Sequence, residues 1–440
     1  MVPRTVPGHP AGPAGPAAAA CRRGGGRVVR WCRDDDGPDP AEGPLIPFDP
    51  ADPAFLDDPY PRFAALRAAG PVHPHPLLGL PVAVSHGACS QLLRGRDLGR
   101  IWADAQPAER FGAFNLLHRN SLLEREGPPH DRLRTLVAGA FNRGHTARLR
   151  PWVHELAGRL VGALAGRIRD DGHADLIAGV AAPLPVEMIA QLLDVPEPAR
   201  SALRGWSNTI VTMYEPAAAD PQRQRLREAA AERAAAEFVT ALRELAAYRR
   251  RHPGDDLVTD LLAADVEPDE LVGTAALLLM AGHEATVNVI GNGVLALLAH
   301  PEQWRRWRAD PGLDERCVEE LIRFDPPLQL FERTAVVDTE VAGHPVPAGT
   351  RIAALLGAAA RDPQAFDHPD ELDVGRSRNP HLGFGAGVHY CLGAPLARLE
   401  VAATLHALRT RLPALTLAGS PVRRPDFVMR GLRTLPVGTG

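Results

Sequence analysis

The sequence predicts a mainly α protein with a minor β component, and three observations carry that reading. Hydrophobic positions recur at helical spacing in one segment after another between residues 130 and 411. Many of these segments are bounded by proline, glycine or aspartate, where helices begin and end. Strand-like runs are short and confined to two regions, near residues 72–85 and 334–356.

In chain order, residues 59–69 read as a short helix and 72–85 as strand pieces broken by Pro and Gly, with a hairpin near one end. Helices follow at 130–141, 148–169, 175–193, 199–212, 222–251 and 270–299, with shorter ones at 302–309 and 313–324. Short strands are expected at 334–347 and 350–356, and a final long helix at 394–411. No repeat period is visible. Residues 1–44 are rich in Pro, Gly, Ala and Arg without a helical or strand period, and read as a disordered leader or an over-extended start. Residues 45–440 read as a single domain, because no further low-complexity linker interrupts them.

A chain of 440 residues easily buries a substantial core, and 45% hydrophobic with 23% charged content is that of a globular protein in water. All 49 basic residues are arginine, and the net charge of −4 argues against general nucleic-acid affinity. Five cysteines (Cys21, Cys32, Cys89, Cys317, Cys391) are scattered without a CxxC pair. They give no zinc or disulfide framework and fit a reducing cytoplasm. No signal peptide is legible, and the most apolar run, 275–281, is too short to span a bilayer. The expectation is a soluble, cytoplasmic monomer that engages neither nucleic acid nor membrane.

The segment 270–299 is apolar nearly all round, as in a helix that runs through a core. Within it lies MAGHEATVN, residues 280–288. His283-Glu284 begins a zinc-protease HExxH, but position 287 is valine, so that chemistry fails. Glu284 is then a buried or cavity-lining acid, which is costly unless solvated, paired or needed. A satisfied structural carboxylate and a functional one both remain open on this helix alone.

The most informative segment is GFGAGVHYCLGAPLARLE, 383–400. Its glycines permit a tight loop with positive φ before Cys391, and a helix begins immediately after Gly393. Backbone N–H groups at that helix start would stabilise an anionic sulfur and depress its pKa. The arrangement suits a thiolate metal ligand on a rigid loop. A buried structural cysteine and a phosphate loop are the alternatives, and the second lacks its Lys-Ser/Thr ending.

FGAGVHYCLGAPLAR closely resembles the haem-binding loop of the cytochrome P-450 superfamily, Phe-Gly-x-Gly-x-x-x-Cys-x-Gly leading into the last long helix. The resemblance extends over roughly residues 47–435. It implies the P-450 fold, with haem b between the long central helix and the cysteine loop. It makes Cys391 the axial iron ligand, on a loop to which Phe384, Gly385 and Gly393 belong. ELIR, 320–323, is similar to the family's Glu-x-x-Arg; by spacing alone it is an ordinary surface ion pair. The resemblance implies instead a buried structural pair, Glu320 and Arg323, joined by Arg376 at the end of HPDELDVGR. PPHDRLR, ERTAVVD and the position two before the cysteine imply four haem-propionate binders: His130, Arg134, Arg333 and His389. Two carboxylates need several fixed donors, and arginine suits them best.

AGHEATVN resembles the family's oxygen-activating stretch, Ala/Gly-Gly-x-Asp/Glu-Thr. Ala281 and Gly282 would leave room for dioxygen, and Glu284 matches the acid of the proton relay. The threonine that should follow is Ala285. Thr286 does not straightforwardly replace it, being about 100° further round the helix. Oxygen activation consumes two protons, so another supply is needed: a hydroxyl on the substrate, peroxide as a bypass, or a coupling reaction that tolerates a different source. The substrate hydroxyl is preferred.

The implied activity is a monooxygenase that hydroxylates, epoxidises or oxidatively couples a small organic substrate, a secondary-metabolite intermediate. Electrons would come indirectly from NAD(P)H, through a separate ferredoxin reductase and ferredoxin. A peroxide-using enzyme and a non-catalytic haem-thiolate sensor are the alternatives. The resemblance assigns the substrate pocket to Ile101, Trp102, Phe111, Phe114, Asn208, Met213, Gln329, Leu330 and Phe331. Arg132, Arg143 and Arg398 are arginines available to an acidic ferredoxin.

Overall fold

A computed structural model describes residues 48–440 except 142, 219 and 265; the expected leader at 1–44 lies outside the described residues. The organising element is the central helix Pro268–Ala299, whose first turn carries Pro268, Asp269 and Glu270, as the open N–H groups of a helix start favour. The helices Gly112–Arg119, Pro183–Leu192, Glu197–Val211, Pro221–Arg251, Asp314–Phe324 and Ala394–Arg411 all pack against it. Glycines set two close approaches. A Cβ on Gly273 would lie 2.8 Å from the Leu117 carbonyl, and one on Gly293 would lie 2.8 Å from Leu321. Burial of apolar side chains all round the central helix, in one continuous core, is what holds a helix with so little polar surface in place.

A five-stranded sheet stands beside the helices, in the order Val72–His75, Leu80–Ala83, Arg351–Leu355, Leu330–Ala335, Leu98–Gly99. The first two form the expected hairpin, and Leu80–Ala83 runs parallel to Arg351–Leu355 with Val82 opposite Ala353. In Leu330–Ala335, alternation sends Leu330 into a cluster with Phe55 and Phe63, while Phe331 packs against a different one. Arg333, two residues on, shares the face of Phe331.

The segment 175–193, expected as one helix, divides into a two-residue strand, a π turn at Ile177–Ala181 and the helix Pro183–Leu192. At the break the Asp175 carboxylate accepts the Ile177 N–H at 3.0 Å and the Leu435 N–H at 2.9 Å, hydrogen bonds that compete with a continuous helix. The helices His86–Arg94, Gly112–Arg119 and Leu257–Ala263 and the C-terminal strands lie where the sequence pattern predicts none. Helices this short are marginal alone and form because a neighbour covers them. Among the described residues, no helix is long and apolar enough to cross a membrane.

Candidate functional site

The cysteine loop is held by local backbone geometry. Gly385 and Gly387 sit at φ 70° and 72°, and a Cβ on Gly387 would lie 2.5 Å from the Leu93 carbonyl. The Cys391 N–H donates to the Phe384 carbonyl at 2.9 Å, closing the loop. Burial pushes the Cys391 thiol up; the N–H groups of Gly393 and Ala394 and the charges of Arg134 and Arg398 oppose it without winning. This corrects the expected depressed pKa, because desolvation of the anion outweighs the helix start. Coordination to a metal ion would remove the proton regardless.

On the central helix between Glu270 and Val294, accessible surface is confined to Leu277, Ala281, Gly282 and Ala285. Positions 277, 281 and 285 follow i, i+4, i+8, one stripe along the helix. Gly282 lies at its edge, where a Cβ would meet Ile189 of Pro183–Leu192 at 3.1 Å. The small residue there admits Ile189. Thr286 is buried, one turn beyond Gly282 and about 100° round the helix from Ala285. Glu284 is buried as well and ion-paired to Arg424, a partner the sequence does not disclose.

A second set of side chains converges at the edge of a cavity of about 500 Å³ lined by Arg100, Ile101, Trp102 and Glu126, among others. The rings of His130 and His389 lie 4.6 Å apart, each with one buried nitrogen lacking a partner, Nε2 and Nδ1 respectively. Arg333 and Arg100 flank the Phe331 ring at 5.1 and 5.3 Å. Burial, and then the Arg100 charge, lower the Arg333 pKa to about 10. Arg134 donates to the Tyr390 carbonyl at 2.7 Å, beside the cysteine. Two carboxylates stand in the same place. Glu124 pairs with Arg100, and Glu126 accepts from His389 at 2.6 Å.

The residues present fit a haem. A cysteine on a rigid loop can ligate iron, a methyl-lined helical stripe offers an apolar wall, and the buried Arg333, with Arg100 on the same Phe331 ring, offers cationic donors to two propionates. Arg100, Glu124 and Glu126 are additions that sequence reasoning missed. A charged residue in an irregular segment carries no periodic signal, although the proximity of Glu126 to the PPHDRLR motif could have drawn attention to it.

Glu320 and Arg323 are fully buried, bonded through both oxygens at 2.8 Å. Arg376 adds a bond to the same carboxylate at 2.9 Å, and the Asp373 N–H another at 2.8 Å. Arg323 also donates to the carbonyls of Ala360, Pro369 and Glu371. The triad therefore ties the helix Asp314–Phe324 to the meander that precedes the cysteine loop.

The expected pocket residues divide. Ile101 and Trp102 line the cavity, and Trp102 stacks on His118 at 4.7 Å. His118 in turn meets the Tyr214 hydroxyl at 2.9 Å, joining this segment to the end of Glu197–Val211. Asn208 and Met213 are half-buried, with the Asn208 Oδ1 unpartnered. Phe111 and Phe114 belong to the main core, Phe114 within 4.2 Å of His118. Leu330 is core, and Gln329 is turned toward Gly357 while donating to the Pro326 carbonyl, because strand alternation and sheet packing fix them. Those two are corrections to the pocket assignment. Of the expected docking arginines, Arg132 is paired with Glu270 and Arg398 with Glu319, so neither guanidinium stands free.

A family model described as Cytochrome P450 matches residues 313–422, the span from the Glu-x-x-Arg helix past the cysteine loop. The chain is 37% identical over 401 residues to the cytochrome P450 monooxygenase PikC of Streptomyces venezuelae, covering 87% of this chain and 91% of that one. It is 34% identical over 406 residues to the 6-deoxyerythronolide B hydroxylase of Saccharopolyspora erythraea, covering 87% and 96%. Among solved structures it resembles P450BioI in complex with a fatty-acid-ligated acyl carrier protein. That match has a TM-score of 0.83 and 33% identity, and covers 88% of this chain and all of the other.

Proposed function

The chain belongs to the cytochrome P450 family and is a cytochrome P450 monooxygenase, and on that footing we propose that it oxidises a secondary-metabolite intermediate which itself helps deliver protons. Cys391 is the axial ligand of haem b in this reading, with His130, Arg134, Arg333 and His389 at the propionates, joined by Arg100. The haem, when bound and reduced, activates dioxygen so that one oxygen atom enters the substrate and the other leaves as water. Electrons reach it from NAD(P)H through a separate ferredoxin reductase and ferredoxin.

One observation carries the proton argument. The accessible stripe of the central helix offers Leu277, Ala281, Gly282 and Ala285, and none bears a hydroxyl or an acid. Thr286 and Glu284 are both buried, and the Glu284 carboxylate is engaged by Arg424. A hydroxyl on the substrate, resting against Ala281 and Ala285, can order a water where the chain supplies no side chain to do so. The 6-deoxyerythronolide B hydroxylase supports a secondary-metabolite substrate by its name.

The test is Ala285→Thr, with electron consumption and product measured on substrate pairs that differ by one hydroxyl. Substrate assistance predicts that the variant turns over the hydroxyl-lacking member with better coupling than the parent enzyme. Unchanged coupling on every pair would sink it. The same apolar stripe favours a peroxide-using enzyme as second reading, and product formation from peroxide alone, faster than with ferredoxin, would select it.

A further inference from the structure

We propose that Arg398 is a positioning residue that fixes the Phe384 ring beneath the cysteine loop, and that Glu319 holds Arg398 in that place. The inference rests on Cys391 as the iron ligand and extends it to the residues that control its surroundings.

The Arg398 guanidinium lies 4.4 Å from the centroid of the Phe384 ring, within stacking range. It is not free to leave. Nε and one terminal nitrogen donate to the two oxygens of Glu319 at 2.5 and 2.8 Å, a bidentate fork. Glu319 is fixed in turn by His381, whose Nε2 meets it at 3.0 Å while its Nδ1 accepts the Gly383 N–H at 3.2 Å. That bond defines the tautomer: Nδ1 accepts, so Nε2 carries the hydrogen given to Glu319. The His381 and Tyr390 rings stand 5.9 and 6.3 Å from Phe384, and the Tyr390 hydroxyl accepts from Arg398 at 3.4 Å.

Phe384 is thus boxed by three side chains, all reached through one carboxylate. That carboxylate adjoins Glu320, whose buried triad anchors the helix to the meander. Phe384 matters because its carbonyl receives the Cys391 N–H. A ring free to swing would move the loop backbone and admit water to the sulfur. Burial and hydrogen bonding around a ligand atom are levers on the reduction potential of the metal it holds. The ferredoxin contact expected of Arg398 gives way to this role, since Nε and one terminal nitrogen are committed to Glu319 and the other faces the Tyr390 hydroxyl.

The experiment uses the full-length, haem-loaded protein and the variants Arg398→Lys and Glu319→Gln. Lysine keeps the charge but cannot stack or fork; glutamine keeps the shape but not the charge. Two quantities are measured, the midpoint potential of the iron and the rate of haem transfer to an excess of a haem scavenger. Both variants are expected to shift the reduction equilibrium at least threefold, about 28 mV at 59 mV per tenfold, and to speed haem transfer. If Arg398→Lys leaves the potential where it was, charge alone suffices and the proposal is overturned. An unmoved potential in Glu319→Gln overturns it equally; Glu319→Asp, shorter by one methylene, replaces that variant should it fail to fold. The unmodified protein, reduced and bound to CO, is recorded first. Absence of a thiolate-type band there overturns the ligand assignment and this inference together, whereas a normal band with unmoved variants overturns this inference alone.

Discussion

Arg424, just past the short strand Val422–Arg423, is ion-paired to Glu284 in the middle of the central helix, 140 residues earlier in the chain. The same guanidinium holds Asp426 at 2.8 Å. The acid that stands unpaired in the sequence of an apolar helix is therefore neutralised from the C-terminal turn. While the pair persists, Glu284 is committed to Arg424. Any part it takes in moving protons requires Arg424 to give it up, with Asp426 at hand to keep the guanidinium paired.

Arg424→Gln should destabilise the protein by about 2–4 kcal/mol, because it strands a buried carboxylate. Glu284→Gln in the same chain should restore much of the loss. Chemical unfolding of the two single variants and the double variant measures the coupling, and simple additivity would show that the pair contributes nothing.

Glu215, after the helix Glu197–Val211, accepts the backbone N–H groups of Phe427, Val428 and Met429 at 2.7, 2.8 and 2.9 Å. One carboxylate thus clasps the C-terminal turn to the segment that also carries Tyr214. Glu215→Ala should speed hydrogen exchange of those three amides by tenfold or more, about 1.4 kcal/mol of lost local protection. Exchange unchanged from the parent protein would mean that the turn is held by its packing alone.

In the proposed haem site, Glu126 occupies donors that a propionate would use. Burial pushes its carboxyl up, yet the His389 hydrogen bond and the Arg100 N–H outweigh that and leave it below the usual range. Glu126→Gln removes a negative charge beside the propionate cradle while keeping an acceptor for His389. Haem transfer to a scavenger should slow about threefold or more, following the lost repulsion. Faster haem loss would show that Glu126 supports the cradle rather than competing in it.

The fork between Glu319 and Arg398 sets an acid limit. Burial opposes ionisation of Glu319, but the hydrogen bonds from Arg398 and His381 win, and its pKa falls from 4.5 to about 2. A folded-state pKa below the unfolded one gives stability that is complete above pH 4.5 and drains away as the pH falls toward 2. Glu319→Gln should therefore cost about 1–3 kcal/mol near neutrality. The gap from the parent protein should narrow steadily below pH 4.5. A gap that stays constant with pH would place the effect outside this carboxylate's ionisation.

Several features are legible because the residues that make them are neighbours in the chain. The glycines and Cys391 of the haem-type loop lie within eleven positions, from Gly383 to Gly393, and their spacing alone encodes the turn. The helix Ala394–Arg411 has the ends its sequence marks, since Gly393 and Pro395 signal its start and an apolar pattern fills its length. The spacing of Glu320 and Arg323 places them on one face, and the resemblance, rather than the spacing, implies their burial.

Other features arise only when the chain closes on itself. The pairing of Arg424 with Glu284, the convergence of Arg100 with Arg333 and the histidines, and the clasp at Glu215 all join distant segments. Such contacts leave no period and no spacing in the sequence, because their geometry is set by the packing of whole helices. A mainly helical fold and a cysteine on a glycine-rich loop follow from the order of residues alone, whereas the alanine at 285 stands out only against the pattern that the resemblance implies. Which buried charges are neutralised, and by what, is settled in three dimensions, because desolvation makes the cost of each depend on its neighbours in space.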